Sequence, residues 1–374
     1  MIIAFIITFF YAALIIFFII GFDKIETIKN KNIAPKNTFS IIIPFRNEAH
    51  NIPNLLKSLS LINYPKNLFE ILLVNDASKD DYNSIIEHYK LHNPTLKLIQ
   101  IENERTTNSP KKDAINSAIK IANRDWIITT DADCEVPKNW LFIFNQFIEE
   151  KKPLFISAPV KFKTKKGLLF HFQNLNFISL IGSTIGGFGI KKPFMCNGAN
   201  LCYHKNTFFE LNGFEGNSAI ASGDDIFLLE KMLQLLPEKV AYLKSNEATV
   251  KTSSEKTWKL FFNQQIRWAS KTTAYTSSFS KIVAATVFLE NLMLILLGIL
   301  LIFQPSYWSV FLILLVLKTI VDLILIIKST RFLKSNLSLR YYLITCVFYP
   351  FYIAFISFST LFKTYQWKGR TFKK

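Results

Sequence analysis

The sequence lacks the glycine-rich loops with which two large classes of nucleotide-binding enzyme hold phosphate groups. It contains no G-x-x-x-x-G-K-[ST] segment, and no G-x-G-x-x-G follows its first predicted strand. These absences argue against a P-loop nucleotide hydrolase and against a dinucleotide-dependent oxidoreductase. Any phosphorylated ligand of this chain would need a metal ion and Lys or Arg side chains to neutralise its charge.

Cysteine is scarce, and its spacing shows no metal-binding pattern. The four cysteines are Cys134, Cys196, Cys202 and Cys346. They form no C-x-x-C pair, and no cysteine pair combines with a pair of histidines as in a zinc site. Together with the cytoplasmic placement argued below, this usage favours free thiols over disulfides.

Acidic residues are outnumbered, with 27 Asp and Glu against 44 Lys and Arg, which gives a formal net charge of +17. Much of the excess flanks apolar segments, in 24–37, 328–340 and 363–374. The sequence has no nucleic-acid-binding motif. Attraction to an anionic membrane surface therefore explains the charge better than binding to nucleic acid.

Long hydrophobic runs predict a multi-pass membrane protein. Residues 1–20 carry no charge and are long enough to cross a bilayer. They lack the preceding basic residues and the small-residue cleavage site of a secretory signal, so we expect a retained anchor over 1–22. Further runs at about 282–303, 307–327 and 341–362 predict two to three membrane helices within 282–363, followed by a basic tail at 364–374.

The charge around the first span predicts its orientation. Four lysines follow that span and no charge precedes it: Lys24, Lys29, Lys31 and Lys36. The positive-inside rule then places the central block in the cytoplasm, at the cell (inner) membrane. Four crossings would put the basic tail outside, which conflicts with the same rule. Pro350 leaves two alternatives for the last segment, a re-entrant or interfacial element and a plain crossing.

Residues 37–275 alternate short apolar runs with helical patterns. TFSIIIPF, FEILLVND, LKLIQI and WIITTDAD are each followed by an amphipathic stretch. Such alternation predicts an α/β domain with a doubly wound, mostly parallel sheet and helices on both faces. The apolar segment at about 167–187 contains Gln173, Asn174 and Asn176. We expect it to be an interfacial helix at the lipid headgroups, with a buried core helix as the alternative.

Polar residues follow three of the predicted strands: Pro44, Arg46, Asn47 and Glu48 after the first, Asn75, Asp76 and Ser78 after the second, and Asp131 and Asp133 after the fourth. The carboxyl ends of parallel strands share one sheet edge, where open α/β sheets bind ligands. Two carboxylates there suit Mg²⁺ or Mn²⁺ bridging phosphates. Lys112 and Arg267 are candidate cations for the phosphates, and Asn116 shares a helix face with Lys112.

The second half adds FMCNGANLCYHKNTFFELNGF, SGDDIFLLEKML and FFNQQIRWASK. With D-x-D after strand four and an aspartate after strand two, this order resembles the membrane-bound family 2 glycosyltransferases of GT-A fold. The similar branch includes ceramide glucosyltransferase-like, carotenoid-glycosylating and polysaccharide synthase-like enzymes. The pattern spans residues 39–271, with a W-x-G-R tail at Trp367, Gly369 and Arg370.

The resemblance implies a role for each matching position. Asp76 would contact the nucleotide, and Asp131 and Asp133 would form the metal-binding D-x-D, with Asp133 the more direct ligand. Asn197, Gly198 and Asn200 match an acceptor-side segment. Asp225 matches the general base, beside Asp224 where many relatives have Glu. Gln264, Arg267 and Trp268 form Q-x-x-R-W on the donor side, and Trp268 would also help to hold the acceptor.

These features predict an inverting, metal-dependent transferase that moves a sugar from a nucleotide-diphosphate donor, with a UDP-sugar expected, to a lipid or lipid-linked acceptor. A processive polysaccharide synthase is the alternative within this class. An inactive membrane scaffold or assembly partner is the alternative outside it. Asp224 and Asp225 could instead be ordinary charges at a helix N-terminus, and Trp268 an interfacial anchor.

Overall fold

The computed structural model describes residues 1–216, 220, 222–271, 274–362, 365–368 and 370–372. The chain divides into two compact units, each packed mainly within itself. The sheet unit comprises Glu26–Lys163 and Met195–Ser253, and the helical unit comprises Met1–Ile25, Thr164–Phe194 and Ser254–Lys374. In this division 164–194 and 254–271, which the sequence analysis placed in one domain over 37–275, are grouped with the long helices.

The sheet unit is built on a seven-stranded sheet of order β3-β2-β1-β4-β7-β5-β8. The strands are β1 Phe39–Phe45, β2 Phe69–Asn75, β3 Leu98–Glu102, β4 Trp126–Thr129, β5 Phe155–Ser157, β7 Leu201–His204 and β8 Val240–Tyr242. Only β7 runs antiparallel to its neighbours, β4 and β5. A separate parallel pair joins β6 Val160–Phe162 to β9 Val250–Thr252. The predicted doubly wound, mostly parallel sheet is confirmed.

Helices connect these strands in the predicted order. They are α2 Ile52–Ser60, α3 Tyr82–His92, α4 Pro110–Ile121, α5 Trp140–Lys151, α7 Lys205–Glu210 and α8 Asp224–Leu235. The central strands β1, β2 and β4 are buried almost throughout, as continuous apolar runs in a parallel sheet should be. They form the core that holds the strand ends in place.

Pro44 lies near the carboxyl end of β1, a central strand. Pairing of β1 with β4 ends at Ile42, whereas pairing with β2 continues to Phe45. In a parallel strand alternate residues bond to alternate neighbours, so the missing N–H of Pro44 faces the side where β4 has already ended. Proline is therefore accommodated where the sheet opens towards the turn after β4.

The helical unit contains α1 Ile2–Lys24, α6 Leu168–Gly189, α9 Trp258–Ala269, α10 Ser278–Phe303, α11 Trp308–Leu333 and α12 Leu339–Phe362. In the described part of the chain, four segments are long and apolar enough to cross a membrane: Ile2–Lys24, Ser278–Phe303, Pro305–Leu333 and Leu339–Thr360. One is N-terminal and three are C-terminal, at the upper end of the expected number. Pro350 lies inside α12, which is one continuous helix.

Helix α6 packs against α1, α11 and α12. At its crossing with α1, a Cβ added to Gly21 or Gly186 would collide with the backbone of the other helix. Small residues permit such close approach of helices, as in membrane bundles. This packing matches the buried-helix alternative for 167–187, and an interfacial location of α6 stays a prediction.

The C-terminal W-x-G-R segment forms part of a short hairpin. Strand β10 Tyr365–Trp367 pairs antiparallel with β11 Arg370–Phe372, with Trp367 opposite Arg370. Gly369 lies outside the described residues. The hairpin belongs to the helical unit.

Candidate active site

The loops after β1 and β2 are joined by hydrogen bonds at the carboxyl edge of the sheet. Arg46 Nη1 donates to the carbonyl oxygens of Asp76 at 2.7 Å and Ala77 at 2.6 Å. The backbone N–H of Asn47 donates to Ser78 Oγ at 2.9 Å. Arg46, predicted as a donor-binding residue, thus shapes the loop that carries Asp76.

Asp76 is a buried carboxylate held by a two-pronged ion pair. Arg105 Nε lies 2.8 Å from Oδ1 and Arg105 Nη2 lies 3.1 Å from Oδ2. Asn103 Nδ2 also donates to Oδ1, at 2.9 Å. Bidentate guanidinium contacts fix the orientation of a carboxylate as well as its charge. Sequence reasoning missed Arg105, because no motif marks the loop between β3 and α4.

Glu48 is also buried at this edge and stabilises the start of α2. Its carbonyl oxygen accepts from the backbone N–H groups of Asn51 and Ile52 at 2.8 and 3.0 Å. Its side-chain Oε2 accepts from Asn51 Nδ2 at 2.5 Å. Contacts of Pro44, Arg46 and Glu48 with a nucleotide stay predictions.

Lys111, at the first turn of α4, links carboxylates from two distant segments. Its Nζ lies 2.9 Å from Asp131 Oδ1 and 3.4 Å from Asp224 Oδ2. Burial lowers the pKa of Lys111, but the negative charges of Asp131, Asp224 and Asp225 outweigh it and hold the pKa above its ordinary value. Lys111 thus brings carboxylates from the turn after β4 and from the start of α8 to one point.

Sequence reasoning chose Lys112, the neighbour of Lys111. Lys112 Nζ instead donates to the carbonyl oxygen of Ile220 at 3.0 Å and lies 4.7 Å from the centre of the Phe227 ring. Lys112 is 1% exposed and Asn116 is half-buried on the same helix. Adjacent helical residues point about 100° apart, so only the packing of α4 shows which lysine meets Asp131. Donor contacts of Lys112 and Asn116 stay predictions.

Asp225 lies at the N-terminus of α8, beside the Gly198 turn. Asp225 Oδ2 accepts from the backbone N–H of Gly198 at 3.1 Å, and Oδ1 accepts from the N–H of Ile226 at 2.8 Å. A Cβ on Gly198 would lie 3.0 Å from Asp224 Oδ2 and 3.3 Å from Lys111 Nζ. Gly198 therefore permits the close approach of three charged groups.

Asn197 and Asn200 hold the same turn from within the fold. Asn197 Oδ1 accepts from the N–H of Ala199 at 3.0 Å. Asn200 is fully buried; its Oδ1 accepts from Trp140 Nε1 at 2.9 Å, and its Nδ2 donates to the carbonyls of Pro159 and Ala248, both at 2.8 Å. These bonds make Asn200 a support of the turn. Acceptor contacts of Asn197, Gly198 and Asn200 stay predictions.

Asp131 and Asp133 occupy the turn directly after β4. The Asp131 side chain is 40% exposed, and Asp133 Oδ2 accepts from Thr252 Oγ1 at 3.0 Å. In the described residues, no three His, Cys, Asp or Glu side chains form a protein-only metal cage. Mg²⁺ and Mn²⁺ commonly take one or two carboxylates together with phosphate oxygens and water. The two aspartates therefore fit a metal ion that a substrate diphosphate would share.

The Q-x-x-R-W segment lies on α9 of the helical unit. Gln264 Nε2 donates to Glu255 Oε1 at 3.0 Å, and the Trp268 ring centre lies 6.4 Å from that of Phe177. Arg267 lies on the same helix, where its carbonyl oxygen accepts from Ser270 Oγ at 2.9 Å. Donor and acceptor contacts of Gln264, Arg267 and Trp268 stay predictions.

Two protein-family models match the chain. Glycosyl transferase family 2 matches residues 40–208, and Glycosyl transferase family group 2 matches residues 126–358. The second range extends from β4 of the sheet unit into α12 of the helical unit.

Curated relatives match shorter parts of the chain. The "Probable glycosyltransferase YdaM" of Bacillus subtilis (strain 168) is 25% identical over 237 residues, which cover 62% of this chain and 54% of that protein. A "Poly-beta-1,6-N-acetyl-D-glucosamine synthase" of Staphylococcus epidermidis is 25% identical over 162 residues, which cover 43% of this chain and 37% of that protein. The matches thus span about half the length of these relatives, or less.

Among solved structures, the chain is similar to "Mannosyltransferase PcManGT from Pyrobaculum calidifontis in complex with GDP-Man and Mn2+". The TM-score is 0.56 at 16% identity, and the match covers 96% of both chains. This likeness concerns the fold, and it agrees with the doubly wound sheet seen here.

Proposed function

The chain belongs to glycosyl transferase family group 2, and from that premise we propose that it transfers a sugar from a nucleoside diphosphate donor to a lipid or lipid-linked acceptor. The reaction is a single displacement at the anomeric carbon, so it inverts the configuration there. The expected donor is a UDP-sugar and the expected metal Mg²⁺ or Mn²⁺. We further propose that the chain falls in the ceramide glucosyltransferase-like and carotenoid-glycosylating branch that its motifs resemble.

The observation that carries this proposal is a group of charged side chains at the carboxyl edge of the sheet. We call it the Lys111 cluster, and it consists of Lys111, Asp131, Asp224 and Asp225. Lys111 lies within 3.4 Å of carboxylates from the turn after β4 and from the start of α8. Asp76 lies after β2, two strands away from β4 in the same sheet. A charged edge of this kind at the carboxyl ends of parallel strands is where open α/β sheets hold nucleotides.

The chemistry assigns separate tasks to these residues. Asp225 accepts the proton of the attacking hydroxyl, and the N–H of Gly198 keeps its carboxylate oriented, at 3.1 Å. Asp133 and Asp131 would hold the metal ion, which supplies positive charge to the leaving diphosphate. Asp76 binds the nucleoside portion. The resemblance adds Arg267 as a second cation for the diphosphate, and Gln264 and Trp268 as donor and acceptor contacts.

The four described segments that are long and apolar enough to cross a membrane support a lipid acceptor. An enzyme embedded in lipid meets lipid-linked substrates without releasing them into water. The lysines that follow the first span support a cytoplasmic location of the sheet unit at the cell membrane, by the positive-inside rule. The excess of basic residues favours an anionic membrane over nucleic acid as the surface it contacts.

A processive polysaccharide synthase is the second candidate. The observation in its favour is the similarity to a poly-β-1,6-N-acetyl-D-glucosamine synthase over 43% of this chain. The described residues contain three C-terminal segments able to span a membrane, which is few for a polymer channel within one subunit, so we favour a discrete glycolipid product. An inactive scaffold is the third candidate, and the acidic residues gathered in the Lys111 cluster argue against it.

The test uses purified protein in lipid vesicles with a panel of nucleotide sugars and Mn²⁺ or Mg²⁺. We expect release of nucleoside diphosphate and a discrete lipid-linked product, and Asp225→Asn should lower turnover at least 100-fold because general-base catalysis contributes about 10²–10⁴-fold.

The matched control is Asp125→Asn, which alters an exposed aspartate just before β4, at the opposite end of that strand. We expect it to retain wild-type turnover. Long polymer in place of a discrete glycolipid would select the synthase. Equal turnover by wild type and Asp225→Asn for every donor would exclude the proposed mechanism, and no turnover of any donor would exclude the enzyme itself.

A further inference from the structure

Helix α6 carries buried amide side chains among many buried apolar ones. Gln173 is 1% exposed and Asn176 is 5% exposed. With Phe177 they occupy positions i, i+3 and i+4, which lie on one face of a helix. Burying an amide costs free energy unless its hydrogen bonds are replaced, so the partners of these side chains reveal what the face does.

Gln173 binds the segment that leads into α9. Its Oε1 accepts from the backbone N–H of Glu255 at 2.9 Å, and its Nε2 donates to the carbonyl oxygen of the same residue at 3.1 Å. The carboxylate of Glu255 in turn accepts from Gln264 Nε2 at 3.0 Å. Glu255 thus connects Gln173 by hydrogen bonds to Gln264, the first residue of Q-x-x-R-W.

Gln265 is held from two helices. Tyr352 on α12 donates its hydroxyl proton to Gln265 Oε1 at 2.8 Å. Asn176 on α6 donates to the same oxygen at 3.3 Å and accepts from Tyr349 at 3.3 Å. Two donors converge on one buried acceptor, so Gln265 occupies one defined position between α6 and α12.

Aromatic contacts complete the same interface. The Tyr352 ring stacks on Phe261 of α9, with centres 5.6 Å apart and planes 10° apart. Phe177, next to Asn176, faces Trp268. Apolar packing alone would hold α9 against its neighbours but would tolerate rotation about its axis. The hydrogen bonds to Gln265 and Glu255 select one rotation.

We propose that Gln173, Asn176 and Tyr352 are positioning residues that set the rotation of α9, and with it the directions of Gln264, Arg267 and Trp268. The proposal rests on the proposed function, in which those three side chains act on the substrates. All three side chains are attached to the same helix, so a rotation of α9 about its axis would turn all three by the same angle.

The decisive variant is Tyr352→Phe, which removes one hydroxyl and keeps the ring. Tyr342→Phe is its matched control, because Tyr342 is also a buried tyrosine on α12 and donates to the carbonyl of Thr319 on α11 at 2.6 Å. Amide hydrogen exchange of residues 258–269, followed by mass spectrometry in lipid nanodiscs, reports on α9 without requiring activity. Turnover, measured with whichever donor the nucleotide-sugar panel identifies, reports on Gln264, Arg267 and Trp268.

We expect Tyr352→Phe to increase exchange in α9 and to lower kcat/KM on the order of tenfold, while Tyr342→Phe leaves both unchanged. In a Gln265→Leu background, Tyr352→Phe should have a much smaller effect, because the acceptor of the hydroxyl proton is already absent and only the 3.5 Å contact from Asn176 Nδ2 remains to be lost. Unchanged exchange in Tyr352→Phe, or equal changes in both tyrosine variants, would overturn the proposal. If exchange changes as expected but wild-type protein transfers no sugar, the positioning of α9 stands and the proposed function fails.

Discussion

The carboxylates at the two edges of the central sheet have different partners. At the amino edge, Glu70 near the start of β2 accepts from Ser40 Oγ at 2.8 Å, from the N–H of Asn123 at 2.7 Å and from Lys97 Nζ at 2.8 Å. At the carboxyl edge, Asp131 and Asp224 share the ammonium group of Lys111, with Asp225 close by.

The difference separates a structural acid from a candidate substrate site. Glu70 is matched by donors of the protein and needs no ligand. At the carboxyl edge, carboxylates from the turn after β4 and from α8 converge on one ammonium group, which is an arrangement that a bound cation would complement. A sheet can therefore use the same residue type for stability at one edge and for chemistry at the other.

The largest expected contrast between the edges concerns metal binding. Asp133→Asn should abolish the stabilisation of the protein by Mn²⁺ and lower turnover roughly 100-fold or more, because a metal contributes several kcal/mol to charge stabilisation. Thermal unfolding with and without Mn²⁺ measures the first effect. Glu70→Gln is the control at the other edge and should keep the Mn²⁺ shift. Loss of the shift in both variants would contradict a metal site at Asp133.

A smaller effect is expected from Lys111→Met. Without the ammonium group, the neighbouring carboxylates repel each other, so metal-free protein should lose unfolding free energy. The loss should be smaller than the roughly 3–5 kcal/mol for a broken, fully buried ion pair, because the Asp131 side chain is 40% exposed. Mn²⁺ should restore more stability to this variant than to wild type, because it replaces the missing charge. Denaturant unfolding at several Mn²⁺ concentrations measures this. An identical Mn²⁺ response in both proteins would show that Lys111 and the metal do not share the site.

The smallest effect is a pH dependence at the amino edge. Burial raises the pKa of Glu70, but hydrogen bonds from Lys97, the Asn123 backbone and Ser40 outweigh it and bring the pKa below its ordinary value. The charged form then stabilises the fold above the unfolded-state pKa of about 4.3, and this stability is lost as pH falls through the lower folded-state pKa.

Glu70→Gln should therefore be about 1 kcal/mol less stable than wild type near pH 7. Urea unfolding at pH values from about 3 to about 7 measures this effect. The difference in unfolding free energy between wild type and Glu70→Gln should shrink below about pH 4. A difference that grows on acidification would contradict the assigned ion pair.

Much of the fold could be predicted from the sequence, because it depends on local patterns. Continuous apolar runs such as FEILLVND predicted buried parallel strands, and β2 forms there. The neighbouring lysines of α4 could not be told apart, since Lys111 and Lys112 have the same chemistry and differ only in the direction that the helix gives them. Arg105 carried no signal at all, because its role depends on the fold of the loop after β3.

The interpretation of α6 shows the same limit. Its amides indicated an interface with lipid headgroups, since sequence reveals polarity but not partners. In the structure, Gln173 and Asn176 bond to the Glu255 segment and to Gln265, which are more than 80 positions away in the chain. Such long-range pairs are invisible to any local pattern.

The sequence by itself determined the strand order along the chain, the four apolar segments and the acidic residues at the strand ends, because periodicity and composition act locally. Only the tertiary structure decided that Lys111 rather than Lys112 meets Asp131, and that Asp224 from α8 joins them. The physical reason is that side-chain direction and long-range pairing are fixed by packing, where burying a charge without a partner costs more than local preference can offset.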